Sequence, residues 1–203
     1  MQKILLGTAA LLALGIGSAN AQSYIENSNQ GNVTGYNDSP LSGAYIGAYG
    51  GYGWTDVGVT PGSDIDAKGT DYGVFLGYSM DEYLQRNIGI NGAVEAHFGW
   101  SDQDGTSAGV GADKKNEWGV SFRPGISISQ QFNPYGIIGY RNAKFDVGGS
   151  SERHDGFELG FGSQLVSMGG VGIRADYTHV WYTADGGIDP EEDNIRLGLA
   201  YHF

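Results

Sequence analysis

The chain has no cysteine, only five prolines, and 11 Lys plus Arg residues against 23 Asp plus Glu. Without cysteine, the fold has to be stable without disulfides. The low proline content and the lack of a Gly-X-Y repeat exclude collagen. The net charge of -12 argues against a nucleic-acid partner, because phosphates need Lys and Arg to replace their counterions. No stretch of ~20 apolar residues exists, so a bundle of transmembrane helices is excluded as well.

Glycine and aromatic residues are present in excess. The 203 residues include 36 Gly, 13 Tyr, 8 Phe and 4 Trp. This glycine content is more than twice the usual share of ~7%. The aromatic content of 12% argues against a disordered, low-complexity chain. The length suits a single domain.

The first residues predict export. A positive segment ending at Lys3 precedes an apolar run over residues 4–16 and an Ala-Asn-Ala motif. This order is typical of a secretory signal peptide, which we predict over residues 1–21. Residues 22–41 are rich in Asn, Ser and Gly and predict a flexible polar leader. The folded domain is therefore expected over residues 42–203.

The remaining chain alternates between apolar and polar positions. From residue 43 onward, apolar residues recur at every second position in eight segments of about ten residues. This is the period of a β-strand with two unlike faces. In the last segment, Ile195 and Leu197 flank Arg196 in this way. Alternation is weaker in residues 134–145, and their register stays open.

The links between the segments alternate between short and long, and the long ones carry most of the acids. This pattern predicts an all-β fold, an eight-stranded antiparallel up-and-down transmembrane β-barrel with short periplasmic turns and four longer extracellular loops. The barrel has to close because each unpaired edge group in hydrocarbon costs several kcal/mol. Pro124 then marks a bulge or a missing ladder bond, because a closed barrel has no edge strand. The long links are expected at residues 55–69, 101–113, 146–155 and 183–193.

Inward polar positions of such a barrel meet in one lumen. Eight strands leave an interior just wide enough for side chains to fill. Buried charges persist there only when they are paired and hydrogen-bonded. We therefore expect an internal salt-bridge network that plugs the lumen, with a charged constriction that selects solutes as the alternative. The predicted network comprises Glu95, Arg123, Gln164, Arg174, Asp176 and Arg196.

Aromatic residues cluster where the predicted strands end. Amphipathic rings favour the headgroup level of a membrane, so these residues predict two interfacial girdles. The aromatic core of a soluble β-sandwich is the alternative, but a sandwich would be expected to carry its charges outside. The predicted girdle residues are Tyr45, Trp54, Tyr72, Tyr78, Trp100, Trp118, Tyr135, Trp181, Tyr201 and Phe203.

The histidines and the acidic pairs are the candidate sites of chemistry. His97 and His202 fall on inward faces, His154 falls in a predicted loop, and His179 lies near the rim. Their spacings establish no Ser-His-acid arrangement, so no catalytic residue is predicted. Acidic pairs in the predicted loops offer oxygen ligands to Ca²⁺ or Mg²⁺, but none completes the twelve-residue calcium loop. We predict neither a metal nor a cofactor.

Three runs of sequence carry a resemblance to a known family. They are Glu-Ala-His-Phe-Gly-Trp at 95–100, Ile-Arg-Ala-Asp-Tyr at 173–177, and the ending at 194–203. They resemble the eight-stranded outer-membrane barrel family of Gram-negative bacteria, which includes the opacity-type surface antigens and the transmembrane domain of the major outer membrane protein A. The resemblance covers roughly residues 43–203. It implies a multi-pass protein of the bacterial outer membrane that is exported through the periplasm.

The resemblance also implies roles for particular residues. In this family the final aromatic strand is read by the barrel assembly machinery, and Tyr201 and Phe203 match that signal. Gln164 stands where such proteins often carry an acid, so the internal pairing is expected to differ. The inward charges of the family are matched by Glu95, Arg174 and Asp176.

The expected function is that of an integral outer-membrane protein with a structural or surface-interaction role, in envelope integrity or as an adhesion-type surface antigen. Its expected partners are outer-membrane lipid and lipopolysaccharide, the assembly machinery during biogenesis, and host or cell-surface ligands that bind the loops. We expect a monomer that binds no nucleic acid. A narrow passive pore for small solutes is the first alternative, and a lipid-modifying outer-membrane enzyme is the second.

Overall fold

The computed structural model describes residues 39–59, 63–85, 88–107, 110–147, 149–183 and 188–203. The predicted signal peptide and most of the predicted leader lie outside these residues. Every regular element of the described part is a β-strand, and no helix there could cross a membrane. The strands are β1 (Gly43–Val59), β2 (Ser63–Gln85), β3 (Ile88–Ser101), β4 (Asp104–Ser107), β5 (Val110–Ser127), β6 (Phe132–Val147), β7 (Ser150–Val166), β8 (Val171–Tyr182) and β9 (Ile188–His202).

These strands form one antiparallel sheet that closes on itself. The eight long strands pair in chain order, and β1 also pairs with β9. The short strand β4 lies beyond the end of β3 and pairs with β2 and β5. The stagger of the barrel can be read by starting at Trp54 on β1 and moving to the directly paired residue on each next strand, first on β9 and last on β2. This path returns to β1 at Ala44, ten residues from its start. Such a stagger accompanies tilted strands. The predicted eight-stranded antiparallel barrel is confirmed.

Alternation along each strand turns apolar side chains outward and polar ones inward. On β8, Val171 is 55% exposed and Ile173 is also exposed, whereas Arg174 and Asp176 are buried. The other long strands repeat this pattern. A continuous apolar outer surface around a polar interior reverses the arrangement of a soluble protein and suits a surround of lipid.

The strands run further than the alternation predicted. β1 and β2 stay paired as far as Val59 and Ser63, so most of the link expected at residues 55–69 is ladder rather than loop. β6 and β7 likewise pair as far as Val147 and Ser150. Outside lipid neither face of a strand has to be apolar, so the two-residue period fades there although the hydrogen bonds continue. We call this end of the barrel the extension end and the opposite end the turn end.

Two local predictions concern β5 and β6. The register that the sequence left open places Ile137 inside, fully buried, and Ile138 outside. The missing ladder bond expected at Pro124 is confirmed. β5 pairs with β6 at Phe122 and next at Gly125, and the two residues between them have no paired partner on β6 in the described ladder. Proline lacks the N–H group that such a rung requires.

Most of the predicted girdle residues lie on the outer surface. At the extension end, the rings of Tyr72 and Trp100 stack with centroids 6.0 Å apart. At the turn end, Tyr201 is 47% exposed. The prediction is wrong for Tyr45 and Tyr135, which are buried inside the lumen. The lumen accommodates them because a phenol can bury its ring while its hydroxyl bonds a polar partner.

Residues just before β1 pack onto the turn end. Leu41 is fully buried. Ser39 Oγ and Ser127 Oγ each donate a hydrogen bond of 2.7 Å to a different carboxylate oxygen of Asp81. The Asp81 backbone N–H donates to Ser42 Oγ at 3.2 Å. The last three residues of the predicted leader therefore belong to the packed domain.

Candidate functional site

The first ion-pair cluster lies in the half of the lumen nearer the turn end. Arg174 on β8 holds Glu95 on β3 in a fork, with nitrogen–oxygen distances of 2.5 and 3.0 Å. Arg123 on β5 lies 2.8 Å from Glu95 and 3.0 Å from Asp176. All four side chains are buried, and their two positive and two negative charges balance. We call these four residues the lower cluster.

Tyrosine hydroxyls complete the hydrogen bonding of the lower cluster. Tyr45 donates to Glu95 at 2.9 Å, and Tyr135 donates to Asp176 at 2.5 Å. The guanidinium of Arg174 also lies over the ring of Phe75, 3.5 Å from its centroid. Buried charges persist only with such partners. The sequence pattern assigned Tyr45 and Tyr135 to the interfacial girdle instead of the lumen, because it classed aromatic residues as lipid-facing.

A second ion-pair cluster fills the lumen nearer the extension end. Its centre is Arg141, which is fully buried and pairs with Glu158. Arg141 also lies 3.4 Å from Glu117 and 3.8 Å from Glu192. Lys114 lies 2.7 Å from Glu117 and pairs with Glu192. The upper cluster, as we call it, consists of Lys114, Glu117, Arg141, Glu158, Glu192 and Arg196.

Uncharged side chains extend the upper cluster toward the extension end. Gln103, between β3 and β4, points into the lumen and is 1% exposed. Its amide nitrogen donates to Glu192 at 2.8 Å and to Asp71 at 3.0 Å. Its amide oxygen accepts a hydrogen bond of 2.8 Å from the hydroxyl of Thr55. A residue expected in an extracellular loop is thus part of the lumen network.

A β-bulge at Lys115 makes the upper cluster possible. The pairing of β5 with β6 shifts by one residue between Lys114 and Asn116. In an unbroken strand, Lys114 and Glu117 would point to opposite faces. The extra residue turns both into the lumen, where they lie 2.7 Å apart. Sequence alternation missed Lys114 for this reason.

Lys114 lies four residues beyond the girdle residue Trp118, outside the membrane-spanning part of β5. Burial by itself lowers the pKa of its ammonium group. The carboxylates of Asp71, Glu117 and Glu192 outweigh burial and hold this pKa above its ordinary value. Lys114 therefore stays charged at neutral pH and offsets part of the acidic charge around it.

The structure places five of the six predicted network residues in the two clusters. Glu95, Arg123, Arg174 and Asp176 meet in the lower cluster. Arg196 pairs with Glu117 in the upper cluster. Gln164 lines a small cavity beside the lower cluster. That cavity has a volume of about 10 Å³, close to the least that one water molecule needs.

Sequence reasoning missed most of the upper cluster, although part of its signal was present. Glu117 and Glu158 stand at inward positions beside the outward Trp118 and Phe157, so alternation alone could have found them. Arg141 was missed because the register of its segment was open. Glu192 was missed because it was assigned to a loop, the link expected at residues 183–193.

The four histidines do not converge on one site. His97 is buried in the lumen, and His202 stacks on Tyr45 with ring centroids 5.0 Å apart. His154, expected in a loop, is buried on β7. His179 Nδ1 lies 2.8 Å from a carboxylate oxygen of Asp193 on β9. Across the part of the chain that the structure describes, no group of three His, Cys, Asp or Glu residues could hold a metal ion.

An antiparallel barrel with an apolar outer face, aromatic residues at its rims and ion pairs in its interior is a transmembrane barrel of the outer-membrane type. The model of a family described as the outer membrane protein beta-barrel domain matches residues 9–203. The chain belongs to this family. Membership places it in the bacterial outer membrane.

Solved structures show a similar fold. Neisserial surface protein A aligns with a TM-score of 0.51 at 17% identity, over 80% of this chain and 98% of that one. Ail of Yersinia pestis, solved with the heparin analogue sucrose octasulfate, gives a TM-score of 0.42 at 14% identity over 78% of this chain and 99% of Ail. The outer membrane enzyme PagL gives 0.39 at 15% identity, over 79% of this chain and 99% of PagL. No curated protein sequence matches the chain.

Proposed function

We propose that the chain is an integral outer-membrane protein with a structural and surface-interaction role, and that its lumen is closed to solutes. The observation that carries the proposal is the fully buried Arg141, which joins acids on three other strands across the lumen. A hydrated ion would have to displace these ion pairs to pass. Breaking one buried pair costs about 3–5 kcal/mol, which opposes passage at rest.

Planar-bilayer recordings of the purified chain test this closure against the pore alternative. We expect no discrete conductance steps. A variant that combines Arg141→Ser and Glu158→Ser with Arg174→Ser and Glu95→Ser removes one pair of opposite charges from each cluster, and we expect it to conduct. Different gel mobility before and after boiling shows that each sample is a folded barrel. Discrete steps from the unaltered chain would contradict the proposal.

The strand extensions support the surface role. Their ladders continue beyond the girdle, so the chain outside the membrane has a defined sheet geometry that can be presented to a host, a phage or a neighbouring cell. A deletion strain is expected to show increased detergent sensitivity, reduced binding to surfaces, or both. Unchanged envelope integrity together with unchanged binding would contradict this role.

A lipid-modifying enzyme is the second candidate. The observation that favours it is the pair of His179 and Asp193, whose Nδ1 and Oδ1 atoms lie 2.8 Å apart on the outer surface, where lipid is within reach. We expect this pair to have no catalytic role. Mass spectra of lipid A are therefore expected to stay unaltered on overexpression. A change that disappears in the variant His179→Gln would favour the enzyme instead.

The terminal aromatic residues have a proposed role in biogenesis. Tyr201 and Phe203 are exposed on the outer face with ring centroids 5.2 Å apart, which leaves both rings accessible to the barrel assembly machinery. The variant Phe203→Ala is expected to lower the folded yield in cells while refolding normally in detergent. Equal yields in cells would contradict a signalling role. We propose that the assembled protein works as a monomer.

A further inference from the structure

Basic side chains outside the lumen are unevenly distributed around the barrel. The chain has 11 Lys plus Arg residues, and five of the described ones are buried in the lumen. The described basic residues that remain outside are Lys68 on β2, Lys115 on β5, Lys144 on β6 and Arg153 on β7. Three of these four thus lie on adjacent strands, on one side of an otherwise acidic protein.

Two of these cations face each other directly. Lys144 and Arg153 are cross-strand partners in the ladder of β6 and β7. Like charges at directly opposed positions destabilise a sheet. In the described part of the chain, neither side chain forms an ion pair with a carboxylate. An anion placed between them would turn this repulsion into two attractive contacts.

The guanidinium of Arg153 is held in place by neutral groups. It donates to the amide oxygens of Asn142 and Asn116, at 2.7 and 2.8 Å. The amide nitrogen of Asn142 donates in turn to Asp155 at 2.7 Å, which fixes the amide with its oxygen toward the guanidinium. Asp155 also accepts a hydrogen bond from the hydroxyl of Tyr140. Arg153 therefore keeps its full charge and loses little side-chain freedom when it binds a ligand.

The level of these residues relative to the membrane indicates the ligand. The exposed rings of Tyr140 and Phe157 pack against the girdle residues Trp118 and Trp181, with centroids 5.5 and 6.1 Å apart. Lys144 lies four residues beyond Tyr140, and Arg153 lies four residues before Phe157, in both cases toward the extension end. At ~3.3 Å per residue this is roughly 13 Å along a tilted strand. The two cations therefore lie just outside the aromatic girdle, at the depth of the polar headgroups.

We propose that Lys144, Arg153 and Lys115 form a binding patch for a phosphate group on a glycolipid headgroup of the outer leaflet. Arginine offers a phosphate two parallel N–H donors, and lysine adds a point charge. The ammonium group of Lys115 lies 3.3 Å from the carboxylate of Asp113. Lys115 therefore contributes long-range attraction to the phosphate rather than a direct contact. Asp155 lies on the membrane side of Arg153, and Asp146 follows Lys144 along β6, so the ligand has to reach the two cations from the outer face of the β6–β7 ladder.

Binding of lipid A to the purified protein in detergent micelles tests the patch. We expect dephosphorylated lipid A to bind roughly tenfold more weakly than phosphorylated lipid A. The double variant Lys144→Gln with Arg153→Gln is expected to lose this difference. Arg153→Lys is expected to bind with intermediate affinity, because it keeps the charge but not the two-pronged geometry.

Lys68→Gln is the control matched to the single variant Arg153→Gln, since each removes one positive charge. Lys68 is an exposed cation on the other side of the barrel, 4.0 Å from Asp66, and its removal changes the net charge without touching the patch. An equal loss of affinity in Lys68→Gln would overturn the proposal, because the attraction would then depend on overall charge. Displacement of lipid A by an equal concentration of inorganic phosphate would overturn the assignment to a lipid. Different gel mobility before and after boiling checks that each variant is folded.

Discussion

Arg174 and Glu95 are joined by two hydrogen bonds of 2.5 and 3.0 Å, although their strands β8 and β3 lie on opposite sides of the barrel. The pair therefore spans the lumen. A buried pair of this kind adds little stability compared with apolar packing, but removing one partner leaves an uncompensated charge in a medium of low dielectric constant. The effect of substitutions in the lumen follows from this asymmetry.

Substitution of Glu95 is expected to be strongly destabilising. In Glu95→Gln, Arg123 and Arg174 share one remaining acid, Asp176. We expect the free energy of unfolding to fall by about 3–5 kcal/mol. Urea unfolding in lipid bilayers, followed by tryptophan fluorescence, measures the loss. The exposed Glu82→Gln makes the same chemical change outside the lumen and is expected to alter stability by no more than about 0.5 kcal/mol. Equal losses in the two variants would contradict the importance of the lower cluster.

Adjacent lysines of β5 are expected to respond very differently to the same substitution. Lys114→Met leaves Glu192 without its nearest cation and removes one of the cations that Glu117 pairs with, so it is expected to cost about 3–5 kcal/mol. Lys115→Met removes an exposed pair with Asp113 and is expected to cost less than about 1 kcal/mol. The same unfolding measurement compares the two variants. Similar costs would show that the bulge does not turn Lys114 inward.

The hydroxyl of Tyr45 is expected to contribute to stability although its ring was predicted to face lipid. Tyr45→Phe removes a hydrogen bond of 2.9 Å to a buried carboxylate, and such bonds contribute about 1.5–3 kcal/mol. Tyr52 on the same strand is 48% exposed, so Tyr52→Phe is expected to change stability by less than about 0.5 kcal/mol. If the two variants unfold at the same urea concentration, Tyr45 does not bond Glu95 in the membrane.

Two glycines of β1 are expected to differ in their tolerance of a methyl group. A Cβ atom at Gly47 would lie 2.2 Å from the ring of Phe75 and 2.3 Å from the carbonyl oxygen of Leu199, whereas a Cβ atom at Gly50 meets nothing within 4 Å. Gly47→Ala is therefore expected to destabilise the barrel by about 1–3 kcal/mol through overpacking. Gly50→Ala is expected to be neutral or slightly stabilising. A neutral Gly47→Ala would show that the lumen can expand at this point.

Alternation in the sequence was sufficient to predict the barrel, because lipid on one side and a polar lumen on the other impose opposite requirements on successive residues. It placed Glu95 and Asp176 on the inner face for the same reason. It could not locate the bulge at Lys115, since an extra residue in a strand has no compositional signature. Nor could it orient Tyr45, because a phenol suits both a membrane interface and a polar lumen.

Both lumen clusters connect strands that are not neighbours in the sheet. A flat, partly formed sheet would hold β3 and β8 too far apart for Glu95 to reach Arg174, so this contact can form only after the sheet has curled. The closing ladder between β1 and β9 joins the two ends of the domain and has the longest separation along the chain, which makes it slow to form. Until β1 and β9 pair, the charges of the lumen remain open to water. Formation of the network is therefore coupled to closure, and a chain that closes in the wrong register would bury charges without partners.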